Sequence, residues 1–203
     1  MQSNESINYA LCCTTDFAEE AINYDIQHFN DLATKSAGLT LGSGASAWLL
    51  SRKPIGIGRA RLIDIKNTSI PSSYSICKVP VKQKKFHSQG KEIFDLGIKY
   101  VPEEIKEITN RVNWKISDIN YFISHQPSKK VINDICDILG IQYEKAPVIH
   151  HLYGNTINSS IPMAMDYILN NIGLKDGDKL LFNAAAAGFS MITAAAIWEA
   201  NNE

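Results

Sequence analysis

Two stretches of the sequence place a hydrogen-bonding side chain directly after an apolar or glycine-containing segment. His125 follows the short run Tyr121–Ser124, and Asn155 lies in the unusual stretch 153–162. An imidazole and a carboxamide can each donate a hydrogen bond, and two such donors could hold the oxygen of a carbonyl that turns into an enolate. Donors of this kind stabilise developing negative charge, commonly by about 3 kcal/mol each. The pair therefore predicts a site that stabilises a carbonyl-derived anion.

Two lysines follow the histidine, at the start of a predicted helix. Lys129 and Lys130 fall in its first turn, where the helix dipole disfavours cations. Their presence there favours an anionic partner, although a solvated helix face would explain them equally well.

A glycine-rich segment matches a nucleotide-binding pattern only superficially. Residues 42–47 fit G-x-G-x-x-A, and Asp64 lies about twenty residues further on. That motif needs a helix after the glycines, whose N-terminus binds pyrophosphate. Pro54 leaves too few residues for such a helix. We expect the tight packing of a glycine-rich strand instead.

The cysteines and adjacent histidines predict neither a disulfide framework nor a metal site. There is no C-x-x-C pair, and neighbouring residues such as Cys12 and Cys13, or His150 and His151, point to opposite faces of a strand. Buried reduced thiols are the better interpretation. The four cysteines are Cys12, Cys13, Cys77 and Cys136.

The elements that must position these residues alternate between strands and helices. Pro102 interrupts the first helical pattern, and Gly140 stands where a helix C-cap belongs. Several strands are apolar throughout, which is typical of a layered α/β protein, and the short apolar run at 9–15 predicts a buried strand. The predicted strands are 9–15, 39–50, 55–65, 74–79, 121–124, 148–149, 179–182 and 188–198, and the helical patterns are 93–112, 131–139 and 161–172.

Composition excludes several classes of protein. The chain has 203 residues, 45% hydrophobic and 20% charged, with a net charge of −1. These values argue against disorder, collagen-like chains and coiled coils, and the sequence lacks the basic field of a nucleic-acid binder. No apolar run reaches the roughly 18 residues of a membrane span, and the polar start is not a secretory signal. We therefore expect a cytoplasmic protein.

The same motifs carry a resemblance to a known family. His125-Gln-Pro-Ser, Gly154-Asn-Thr and the closing Gly188-Phe resemble the C-terminal part of ketoacyl-acyl-carrier-protein synthase III, a condensing enzyme. Segments 9–11, 41–47 and 90–94 fit the same family in the same order, so the resemblance covers nearly the whole chain. It implies a thiolase-like layered αβαβα fold. Residues 1–54 would end the N-terminal half-domain, and residues 55–203 would form the C-terminal one.

The resemblance also implies an activity, a decarboxylative Claisen condensation of an acyl group with a malonyl thioester. His125 and Asn155 would promote decarboxylation and stabilise the enolate. Lys130, with Lys129 beside it, would face acyl carrier protein or CoA, whose thioesters are the substrates, and no cofactor or metal is implied. The segment that corresponds to the family's glycine-rich oxyanion loop and acyl pocket, in which alanines replace most glycines, contains Ala187, Gly188 and Phe189.

One part of the family's site has no counterpart in this sequence. The nucleophilic cysteine of the family lies upstream of the strand that matches residues 9–15. We expect another chain, or a segment cleaved from a precursor, to supply it within an oligomer, since the strands near 9–15 and 39–50 would otherwise expose apolar edges. Two alternatives stay open: a non-catalytic partner of an active condensing enzyme, and an acyltransferase to an amine or alcohol.

Overall fold

A computed structural model describes residues 4–56, 58–82, 84–186 and 188–200. Its main elements are a four-stranded sheet, a separate two-stranded ladder and one long helix. The strands are β1 (Tyr9–Asp16), β2 (Gly44–Ser51), β3 (Arg59–Ser69), β4 (Cys77–Lys78), β5 (His87–Ser88), β6 (Tyr121–Ser124), β7 (Lys179–Ala186) and β8 (Ser190–Glu199). The helices are α1 (Leu32–Leu39), α2 (Gly90–Arg111), α3 (Lys129–Leu139), α4 (His150–Tyr153) and α5 (Ser160–Asn171).

The main sheet has four strands in the order β3-β8-β7-β6. Strands β6 and β7 are parallel, with Ser124 opposite Asn183, while the other two pairs are antiparallel. The carboxyl ends of β6 and β7 therefore meet at one edge of the sheet. His125 and the turn that joins β7 to β8 both lie at this edge, where open α/β sheets place their ligands.

Helices cover both faces of the main sheet. Along β6, Phe122 packs in the core formed with α2 and α3, and the next residue, Ile123, packs in the core formed with α5. Leu181 and Leu180 of β7 divide between the same two cores. Because successive side chains of a strand point to opposite faces, this division makes three layers of helix, sheet and helix. The predicted layered α/β organisation is confirmed.

The longest helix, α2, differs from its sequence pattern at Pro102. The helix continues through this proline, which is buried. Val101, Ile105 and Ile108 on the same segment are buried in the core, and this packing keeps the helix continuous despite the backbone hydrogen bond that proline cannot make. Within the described ranges, no helix is long and apolar enough to cross a membrane.

The predicted ends of α3 are confirmed. Ser128 caps its first turn, with Oγ accepting a hydrogen bond from Val131 N–H at 3.3 Å. Gly140 follows its last residue with φ of 69°, the left-handed conformation that glycine adopts without steric cost.

Strands β1 and β2 form a separate antiparallel ladder. The prediction that the first strand is buried is wrong, because Tyr9, Leu11, Cys12 and Cys13 are all exposed. The even-numbered residues Thr14 and Asp16 bond to Ser159 and Asn158, so the odd-numbered side chains face away from the rest of the chain.

The prediction of a short strand at 148–149 is also wrong. Ile149 is buried, but its N–H donates to Gln126 Oε1 at 2.9 Å instead of to a neighbouring strand. Gln126 Nε2 in turn donates to Pro147 O at 3.1 Å. A side-chain amide thus replaces strand pairing here. His150 and His151 consequently lie on the short helix α4, not on a strand.

Candidate active site

His125 stands at the carboxyl end of β6. Its backbone N–H donates to Asn183 O at 2.8 Å, which continues the β6–β7 ladder by one residue. The ring Nδ1 lies 2.7 Å from Ser160 Oγ. Burial lowers the pKa of His125 from 6.5 to about 4; a hydrogen bond to the Ile157 carbonyl opposes this shift and His150 adds to it. The ring is therefore neutral near pH 7.

Asn155 is fixed by its backbone and by one side-chain oxygen. Its N–H donates to Thr40 O at 2.8 Å, and its carbonyl accepts from Gly42 N–H at 2.9 Å. The side-chain Oδ1 accepts from Ile157 N–H at 3.0 Å. Because the oxygen is already occupied, the Nδ2 group is the part of this amide that remains to donate to another molecule.

Ile157 connects the two side chains. Its N–H reaches Asn155 Oδ1, and its carbonyl accepts a hydrogen bond from Ser160 Oγ at 2.8 Å, the same hydroxyl that contacts His125 Nδ1. Ile157 has φ of 51°, a left-handed conformation that is rare for a β-branched residue. Strain of this kind costs about 1–3 kcal/mol and is typical of functional sites. The structure thus brings both predicted residues into one hydrogen-bonded unit.

The glycine-rich segment forms the back of this unit. A Cβ on Gly42 would lie 1.9 Å from Tyr153 O, and one on Gly44 would lie 3.1 Å from Thr156 Cβ. Only glycine permits the approach at Gly42, and the contact at Gly44 is tighter than usual, so the prediction of tight packing is confirmed. No helix follows the glycines, because β2 does. The segment packs against and supports the Asn155 loop.

Gln126 is a site residue that the sequence analysis did not identify. It is fully buried, and Nε2 donates to Ser124 O at 3.0 Å as well as to Pro147 O. The backbone carbonyl oxygen of Gln126 lies 3.0 Å from His150 Nδ1. Gln126 therefore ties the end of β6 to the segment that leads to Asn155. No local pattern marks this role, because its partners Pro147 and Ile149 lie more than twenty residues away in the sequence.

The two lysines lie on the exposed first turn of α3. Lys130 forms an ion pair with Asp134, and its Nζ lies 4.9 Å from the centre of the Phe94 ring. Lys129 is exposed. Both cations thus lie on the surface, on the helix that follows His125.

Within the predicted oxyanion segment, Gly188 and Phe189 form a turn before β8. Ala187 lies outside the described residues. Gly188 has φ of 73° and Phe189 has φ of 46°. The Phe189 side chain is buried in the core shared with α2 and α3, so only its backbone can face a ligand. The turn shares a sheet edge with His125, since β6 and β7 are parallel.

The cysteines lie apart from His125 and Asn155. Cys136 is buried in the core on α3, and burial raises its pKa to about 12. Burial also raises the pKa of Cys77, which is partly exposed. The interpretation of Cys12 and Cys13 as buried thiols is wrong, because both are exposed on β1. All four are unpaired, and among the described residues no hydrogen bond joins a cysteine to His125 or Asn155. The described residues also contain no cluster of three side chains able to ligate a metal ion.

Comparison with known proteins finds similarity to condensing enzymes. Residues 109–198 match the family model described as 3-oxoacyl-[acyl-carrier-protein (ACP)] synthase III C terminal. The chain is 33% identical over 130 residues to the beta-ketoacyl-[acyl-carrier-protein] synthase III of Aliarcobacter butzleri, covering 63% of this chain and 39% of that protein. It is 27% identical over 174 residues to the enzyme of the same name from Rickettsia bellii, covering 83% of this chain and 54% of that protein.

Solved structures show the same architecture. The 3-oxoacyl-(acyl carrier protein) synthase III of Pseudomonas aeruginosa superposes with a TM-score of 0.84 at 22% identity, covering 99% of this chain and 61% of that chain. A variant of OleA from Xanthomonas campestris superposes with a TM-score of 0.83 at 20% identity, covering 96% and 58%. At these identities the likeness shows a shared fold. The chain spans about half the length of the curated relatives it matches.

Proposed function

The chain belongs to the β-ketoacyl-acyl-carrier-protein synthase III-like condensing enzymes, has their thiolase-like α/β fold and corresponds to their C-terminal portion, and from this premise we propose a reaction. It contributes His125 and Asn155 to a decarboxylative Claisen condensation of an acyl thioester with a malonyl thioester. Residues 1–54 belong to the N-terminal half-domain of that fold, and residues 55–203 form the C-terminal one.

The chemistry of the condensation needs a place for negative charge. Loss of CO₂ from the malonyl thioester leaves the electrons of the broken C–C bond as an enolate, whose oxygen carries the charge. Asn155 Nδ2 donates a hydrogen bond to that oxygen, because its Oδ1 is already held by Ile157 N–H. The enolate carbon then attacks an acyl-cysteine carbonyl, a C–C bond forms, and the C–S bond breaks to release the cysteine thiolate.

The nucleophilic cysteine of this reaction comes from a segment outside the described residues. The buried Cys136 thiol is held neutral by its raised pKa, and Cys12 and Cys13 lie on a strand, not at the start of a helix where a thiolate would be stabilised. The supplying segment belongs either to a longer form of this polypeptide or to a partner chain. Partial coverage of the relatives supports this part of the proposal.

The substrates arrive as anionic carriers. Lys129 and Lys130 on the exposed first turn of α3 offer positive charge to acyl carrier protein or to the phosphates of CoA. The backbone of Gly188 and Phe189, at the same sheet edge as His125, supplies further donors to the acyl carbonyl. Alanines near this turn leave less room for an acyl chain than glycines would.

One observation carries the proposal: Ile157 connects Asn155 and, through Ser160, His125 into one hydrogen-bonded unit at the carboxyl edge of the sheet. The test is His125→Ala, assayed in the complete assembly as isolated, with an acyl-CoA and a malonyl thioester. We expect loss of the 3-oxoacyl product by a factor of at least about 10² while the assembly keeps its size.

His151→Ala is the matched control, since His151 is an exposed histidine on α4 in the same part of the chain. It should condense at the wild-type rate. Unchanged turnover in His125→Ala would contradict the proposal and favour a non-catalytic partner subunit. Transfer of the acyl group to an amine or alcohol without release of CO₂ would indicate simple acyl transfer instead.

A further inference from the structure

Ser160 is a buried hydroxyl that the proposed reaction does not yet use. It is the first residue of α5 and 1% exposed. Its Oγ makes two contacts, one to Ile157 O at 2.8 Å and one to His125 Nδ1 at 2.7 Å. Both are short enough for strong hydrogen bonds, so the hydroxyl is held between the two groups.

The proton count at this hydroxyl is decisive. A serine hydroxyl has one proton to donate and lone pairs to accept with. The Ile157 carbonyl can only accept, so the Ser160 proton points to it. Nδ1 of His125 then carries a proton and donates to Ser160 Oγ, and the hydrogen bond of His125 to the Ile157 carbonyl, which raises the pKa of the ring, agrees with an N–H on this side. In a neutral ring, a proton on Nδ1 leaves Nε2 with a lone pair.

The surrounding structure keeps this arrangement in place. The 3₁₀ turn Ile157–Ser159 leads directly into α5 and so fixes the position of Ser160 at the start of that helix. The left-handed conformation of Ile157 aims its carbonyl at Ser160 while its N–H stays on Asn155. The ring is mostly enclosed, and its lowered pKa keeps it neutral.

We infer that Ser160 is a positioning residue that fixes the proton of His125 on Nδ1 and so presents Nε2 as a proton acceptor. This inference rests on the proposed function. When the cysteine attacks the acyl thioester, an S–C bond forms and the old C–S bond breaks. The thiol proton moves to Nε2 and from there to the departing thiolate.

The direct test reads the proton position without any catalysis. The complete assembly is labelled with ¹⁵N-histidine, which reports the five histidines of this sequence along with any in the cysteine-bearing segment, and the His125 signals are identified by their loss in His125→Gln. We expect Nδ1 to be protonated and Nε2 to be unprotonated near pH 7. In Ser160→Ala we expect a mixture of both tautomers. A proton on Nε2 in the wild-type protein would overturn the inference.

The kinetic test separates positioning from folding. In Ser160→Ala we expect acyl loading of the cysteine and kcat to fall about tenfold to a hundredfold, with KM for the malonyl thioester unchanged. Ser160→Thr, which keeps a hydroxyl, should restore the wild-type tautomer. Ser159→Ala is the matched control, because Ser159 is an adjacent buried serine whose Oγ lies 3.3 Å from Thr14 Oγ1. Wild-type loading by Ser160→Ala would contradict the inference. Absence of condensation by the wild-type assembly would contradict only the proposed function.

Discussion

At the scale of single residues, the site depends on two side chains, each of which already makes a hydrogen bond through one of its two polar atoms. Ile157 holds Asn155 through Oδ1, and Ser160 holds His125 through Nδ1. Each engaged atom leaves the opposite end of its group, Nδ2 or Nε2, to meet a ligand. Such preorganisation means that little rearrangement is needed when charge develops in the reaction.

The neutral state of His125 has a consequence for stability. Its pKa is lowered to about 4 in the folded chain, against 6.5 in the unfolded one. Between these values the unfolded state binds more protons, so the free energy of unfolding falls as the pH drops from about 6.5 towards 4. We expect a loss of about 2 kcal/mol between pH 7.5 and pH 5 from this residue.

Urea denaturation of the wild type and of His125→Gln at both pH values measures this contribution as a difference. The variant should lose the pH dependence that His125 causes, and His151→Gln should keep it. An equal pH dependence in His125→Gln and the wild type would show that the ring is not enclosed as described.

At the scale of elements, the Asn155 loop is positioned by the short segment that precedes β2, more than one hundred residues earlier in the sequence. Gly42 N–H donates to Asn155 O, and the isolated bridge between Leu41 and Asn155 continues this contact. The approach is so close that a single methyl group on Gly42 would collide with Tyr153 O. Backbone contacts from Leu41 and Gly42, not a side chain of that segment, thus fix the position of Asn155.

Gly42→Ala tests this arrangement. Its Cβ would lie 1.9 Å from a backbone oxygen, so the loop must move, and we expect both a loss of about 2 kcal/mol in the free energy of unfolding and a loss of condensation activity. Gly97→Ala in α2 is the matched control, since nothing lies within 4 Å of its Cβ position. The control should gain about 0.5–1 kcal/mol, because alanine favours helices over glycine. Equal behaviour of the two variants in chemical denaturation and product assays would refute the positioning role of Gly42.

The sequence predicts the local parts of these elements and not their long-range contacts. Strand β6, the cap at Gly140 and the placement of His125 follow from apolar runs and turn residues within a few positions. Gln126 could not be assigned, because its partners Pro147 and Ile149 lie more than twenty residues away. The same holds for Ser160, whose contact with His125 spans 35 residues.

At the scale of the whole molecule, the β1–β2 ladder carries an apolar face that the rest of the chain does not cover. Leu11 pairs with Leu49, and these side chains are 66% and 55% exposed. The opposite face packs inward, with Trp48 in edge contact with Phe182 at 6.0 Å between ring centres. The sequence predicts an apolar strand here, but it cannot tell which face another element covers.

We expect the segment that supplies the nucleophilic cysteine to cover this outer face in the complete assembly, since exposed apolar strands pair or pack when a partner is available. Cys13, which pairs with Ala47, is a natural reporter because it shares the outer face with Leu11. In a Cys12→Ser background, Cys13 should react with a maleimide far more slowly than a cysteine introduced at the exposed Lys175 position, as mapped by mass spectrometry. Leu49→Asp places a charge in the covered face, so it should speed the Cys13 reaction and weaken assembly. Equal reaction rates at the two positions in the intact Cys12→Ser assembly would show that the face stays open to water and that the cysteine-bearing segment docks elsewhere.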